Sequence, residues 1–200
     1  MATQNSMPYS ALISRLFGAV LLIASSLVLA EDVNSAVVAD DETPAYMITQ
    51  QDVPSDAPLF KNYAVSPIYH GRIARPDVKS TERARRFRTM IRIRVAETGV
   101  NFAGHYALIV AGCGTACVEY FFVDVRTGRV YHPPQLQWLD MIGVDSDTFP
   151  NQEAVEFYPD SRLLVVRGMP NEDKALRGIS YFVWDAPKLK RIRFVPKAMD

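Results

Sequence analysis

Cysteine and histidine are scarce in this chain, which has two of the first and three of the second among 200 residues. The one four-ligand zinc set so small a supply suggests is His105, Cys113, Cys117 and His132. A continuous strand from His105 to Cys113 would separate those two by roughly 26 Å at about 3.3 Å per residue, against zinc–ligand bonds of about 2.0–2.3 Å. The same separation rules out a Cys–His dyad, which needs hydrogen-bond reach. A hairpin return places His132 near Phe121, well short of the cysteines. No metal and no cofactor is expected. Net charge is lacking too, with 22 Lys and Arg against 22 Asp and Glu, which argues against a dedicated nucleic-acid binder. Nor does any apolar run reach the about 20 residues of a confident membrane span.

What is present begins with an export signal. Arg15 precedes the apolar run Leu16–Leu29, and Val28 and Ala30 supply a small-residue cleavage pattern before Glu31. Residues 1–30 therefore read as a signal peptide, with an uncleaved anchor as the alternative, and the mature chain as periplasmic or extracellular with no stable membrane span. From Glu31 to Leu59 there are seven acidic residues and no Lys or Arg, with Pro44, Pro54 and Pro58 breaking any period. Residues 31–60 read as a flexible acidic lead, and 61–200 as a single β-rich domain.

The charge then reverses, with ten basic residues between Lys61 and Arg94 against Asp77 and Glu82. Ala84, Phe87, Met90, Ile91 and Val95 recur at three- and four-residue spacing, predicting one amphipathic helix from about Ser80 to a stop at Gly99. Arg85, Arg88 and Arg92 share one flank of it and are candidate binding residues for an anionic partner.

After Asn101 the period changes. Strands are predicted over 102–111, 118–125, 129–132, 154–158, 163–167, 179–184 and 189–195, joined by turn-forming segments such as Arg126-Thr127-Gly128 and Pro159-Asp160-Ser161. The fold class is mainly β (α+β): an antiparallel β-meander forming a twisted sheet or a small sandwich, with the Arg-rich helix packed on it. The segment 63–73 could add an edge strand.

Cys113 and Cys117 read as a disulfide across a three-residue loop, Gly114-Thr115-Ala116, pairing Ala111 with Glu119, Ile109 with Phe121 and Ala107 with Val123. Opposed strand residues lie within the Cα window a disulfide requires, and an exported chain meets an oxidising compartment. A redox-active pair is the weaker alternative, because the spacing departs from the two-residue redox motif. Apolar residues on both faces suggest a central hairpin covered twice. Gly104 suggests a bulge or close backbone contact. His105 beside it is a structural histidine or a binding residue.

Asn101-Phe102-Ala103-Gly104-His105-Tyr106, then Gly112-Cys113-Gly114-Thr115-Ala116-Cys117 and Val123-Asp124-Val125-Arg126-Thr127-Gly128, resemble an uncharacterised family of small exported bacterial β-rich proteins, in which an arginine-rich helix also precedes the first block. The resemblance spans roughly residues 65–195. It implies an exported β-rich domain and carries no catalytic residues.

Three functions fit these features. An exported binding or inhibitory module with an anionic protein, cell-wall or envelope ligand is favoured over an enzyme. An envelope hydrolase acting on a glycan or peptidoglycan would draw on the carboxylate pairs Asp145 with Asp147 or Glu153 with Glu156. A purely structural envelope component is the third.

Overall fold

The computed structural model describes residues 43–199; the cleavage expected after Ala30 and the segment 31–42 lie outside the described residues. Eight strands follow in chain order: β1 (Tyr106–Gly114), β2 (Cys117–Asp124), β3 (Val130–Tyr131), β4 (Trp138–Asp140), β5 (Val155–Phe157), β6 (Leu163–Pro170), β7 (Gly178–Asp185) and β8 (Lys188–Pro196). They form one sheet in the order β1-β2-β4-β6-β7-β8, with β3 beside β2 and β5 beside β6. Every pairing between these strands is antiparallel, so the β-rich α+β class and the meander hold. The sequence reading missed β4. Three residues are too few to show a period, yet β4 pairs with both β2 and β6 and joins the two halves of the sheet.

Strand composition explains where the core lies. Alternate residues of a strand face opposite sides, and here both sides are apolar. One set, including Leu108, Phe122, Leu164, Val166, Phe182 and Trp184, forms a single buried cluster drawn from both halves. The Phe122 ring stacks on Trp184 with centroids 4.6 Å apart. The sheet therefore folds over on itself as a small sandwich.

The two outer faces carry different covers. Ala107, Ile109, Phe121 and Val123 pack against Ala84, Ile91 and Val95 of the helical segment. That segment is two helices, α1 (Glu82–Arg86) and α2 (Arg88–Thr98). Phe87 breaks the expected single helix by leaving helical geometry at φ −95°, ψ 15°. The Thr81 side chain accepts the Ala84 N–H at the start, and Gly99 closes the end at φ +64°. Burying Ile91 and Val95 stabilises this packing by about 1.5–3 kcal/mol each.

On the other outer face, Leu163, Val165, Ile179 and Tyr181 are covered by Ile48, Phe60 and Tyr63. This corrects the expected flexible lead for residues 43–60. Thr49 and Asp52 form a reciprocal cap on a 3-10 turn, Ile48 is fully buried, and apolar burial outweighs the local acidity. The segment 63–73 adds no strand; within it, Ala64 makes a single bridge to Ser161.

The hairpin register is as expected at Ala107↔Val123, Ile109↔Phe121 and Ala111↔Glu119. Toward the tip it shifts. Gly114 pairs with Cys117, leaving Cys113 in a bulge and a two-residue Thr115-Ala116 turn. The hairpin is covered on both faces, but it is not central: β1 is the sheet edge, and Val110 is 44% exposed. No helix among the described residues is long and apolar enough to cross a membrane.

Candidate functional site

His105 sits in a turn that the backbone makes tight. Ala103 and Gly104 both take positive φ, +46° and +81°. Gly104 donates its N–H to Pro159 O at 2.7 Å and accepts from Tyr69 N at 2.7 Å. A Cβ there would meet Val65 Cγ2 at 3.1 Å. The close backbone contact expected of Gly104 is present, in the turn preceding β1 rather than inside the strand. That turn presents His105 to an open cleft of about 670 Å³.

The cleft gathers residues from distant parts of the chain: His70, His105, Arg126 at the β2–β3 turn, Arg162 before β6, and Asp185 at the end of β7, over Tyr106 and Trp184. Arg126 Nη2 lies 2.6 Å from His105 Nε2. A guanidinium has no acceptor, so Nε2 accepts and the imidazole is neutral with its proton on Nδ1. Burial and then the Arg126 charge hold the His105 pKa below its ordinary value. Arg126 Nε stands 3.6 Å from Asp124 Oδ1, which orients the guanidinium. Arg162 makes no ion pair among the described residues.

The three helix arginines lie elsewhere, since none of them lines the His105 cleft. Arg85 and Arg88 are exposed and Arg92 is half-buried. Arg88 donates to the Arg85 carbonyl at 3.3 Å, while Arg92 Nε is buried without a partner. The Phe87 break puts Arg85 on α1 and the other two on α2.

Cys113 and Cys117 are bonded, with Cα atoms 5.2 Å apart. His132 stacks on Phe121 at 5.2 Å and donates Nε2–H to Gln137 O at 3.2 Å. Of the carboxylates considered for hydrolysis, Glu153 is exposed in the loop before β5, and the other three have structural partners or turn positions. Glu156 is paired with Arg167 at 2.7 Å and accepts from the Tyr158 hydroxyl at 3.0 Å. Asp145 and Asp147 flank Ser146 in a 3-10 turn whose Thr148 hydroxyl donates to Asp145 O.

Arg126, Arg162, His70 and Asp185 were not singled out by sequence reasoning. Arg126 reads from the sequence only as part of a turn, His70 and Arg162 lie outside the strands, and Asp185 ends β7; the meander brings them together. The class defined is a disulfide-bonded antiparallel β-sandwich with a polar cleft at one turn cluster. No family model, curated protein or solved structure matches the chain.

Proposed function

We propose that this protein is an exported binding module that takes an anionic group of a cell-wall or envelope ligand in the His105 cleft. The observation that carries this reading is the neutral His105 held against Arg126 on an open cleft that also contains Arg162, which has no ion pair among the described residues. Planar guanidiniums match carboxylate and phosphate geometry, and Tyr106 and Trp184 line the cleft as an apolar floor. The export signal and the disulfide support a periplasmic or extracellular setting.

The test is capture from envelope extract by the purified protein and by the Arg126→Ala/Arg162→Ala variant. Capture should fall at least about tenfold in the variant and weaken with added salt in the parent. Equal capture at an unchanged melting temperature would remove the cleft from the reading.

A second surface is favoured by the exposed Arg85 and Arg88, which pair with no carboxylate among the described residues. Replacing Arg85, Arg88 and Arg92 together with Gln should then weaken capture and flatten its salt dependence, with little change in stability. Unchanged capture would make them a solvated face.

A further inference from the structure

A second cleft of about 350 Å³ lies between α1 and the β2–β4 region, lined by Glu82, Arg83, Arg86, His132, Gln137 and Trp138. None of these lines the His105 cleft. Trp138 is its unusual member. It is half-buried, belongs to none of the three apolar core clusters, and its Nε1 is buried without a hydrogen-bond partner. A large ring that the core does not use, with an unsatisfied donor, is costly to keep.

The charges around that ring cancel. Arg83 makes a two-point ion pair with Glu119, whose carboxylate is 2% exposed. Glu82 and Arg86 add one charge of each sign. Burial holds the His132 pKa below its ordinary value, so that imidazole is neutral at neutral pH. An anion finds no net attraction here, nor does a cation. What the cleft offers is an aromatic face ringed by planar hydrogen-bonding groups of both polarities. A pyranose has the matching chemistry: an apolar C–H face and a rim of hydroxyls that each donate and accept.

We propose that this cleft is a saccharide-binding site in which Trp138 is the stacking platform and Glu82, Arg86 and Gln137 meet sugar hydroxyls. Arg83 acts as a positioning residue, because Glu119 already occupies its fork. The site is independent of the anion cleft. A sugar seat and an anion seat on one exported domain would together suit an acidic glycan.

The test is calorimetric titration of the full chain with two uncharged probes, the β-linked tetrasaccharides of N-acetylglucosamine and of glucose. Saturable binding of at least one is expected. It should fall at least about tenfold in Trp138→Ala and change less than about twofold in Arg126→Ala. No heat from either probe up to about 10 mM overturns the proposal, as does binding that survives Trp138→Ala. Inorganic phosphate displacing the sugar would assign the cleft to an anion and also overturn it. If Trp138→Ala melts early, Arg86→Ala on the exposed face of α1 takes its place: weakened sugar binding at native melting supports the proposal, and unaltered binding overturns it.

Discussion

Arg126 Nη2–H donates a hydrogen bond to Nε2 of His105 across 2.6 Å, a bond that exists while the imidazole is neutral. Protonating His105 removes the acceptor and sets two cations against each other.

The first prediction is a pH dependence. The folded pKa of His105 lies below the unfolded value, because of burial and then Arg126, and burial lowers that of His132 likewise. For a lowered pKa the native state holds fewer protons than the unfolded chain. The stability is therefore present above the ordinary histidine pKa of about 6.5 and is lost as pH falls through the folded values. The melting temperature should drop between about pH 7.5 and about pH 5. His105→Gln and His132→Gln should each flatten that slope; a slope unchanged in both variants contradicts the assignment.

Arg83→Ala tests a buried charge. It leaves the Glu119 carboxylate without its two-point partner on the covered face of β2. Breaking a fully buried pair costs about 3–5 kcal/mol. Arg83 keeps about a third of its side chain in water, so a loss of up to about 3 kcal/mol is expected by denaturant titration. Adding Glu119→Gln should recover part of it, since the stranded charge is then gone.

Arg177 ties three distant segments together. Its buried guanidinium donates to the carbonyls of Tyr46, Gly143, Lys197 and Ala198. Arg177→Met would strand those acceptors, and a loss of about 2–4 kcal/mol is expected. Gly143→Ala should be destabilised as well. Its φ is +71°, and the added Cβ would stand 2.7 Å from Arg177 Nη2. Faster proteolysis near residue 46 in both variants would report release of the N-terminal cover.

The disulfide should matter locally. Closing a loop with a sequence separation of 4 stabilises by about 2 kcal/mol in the chain-entropy account. Cys113→Ser with Cys117→Ser should lower stability by about that amount while the β-sheet circular dichroism stays. Loss of the sheet signal would mean that the bridge holds more than its turn.

What the sequence could determine was whatever depends on near neighbours. The stripe Ala84, Ile91, Val95 declares a helix because residues three and four apart share a face, and Gly99 ends it because glycine tolerates positive φ. The facing pair Cys113 and Cys117 and the short link between them set the hairpin and most of its register, while the unbroken apolar run from Ala107 to Ala111 marks a strand covered on both faces. Three things had no such local signature. Phe87 breaks the helix while the residues on either side of it bury the same stripe. The segment 43–60 is acidic in composition yet covers a sheet face, because Ile48 and Phe60 find their apolar partners on β6 and β7, far along the chain. The cleft at His105 required the fold itself: Arg126, Arg162 and Asp185 come from separate strand ends, and a turn residue gains a partner from a distant turn when the meander folds over. Side-chain spacing along a chain encodes which face is buried, while which turns become neighbours is decided by how the sheet closes.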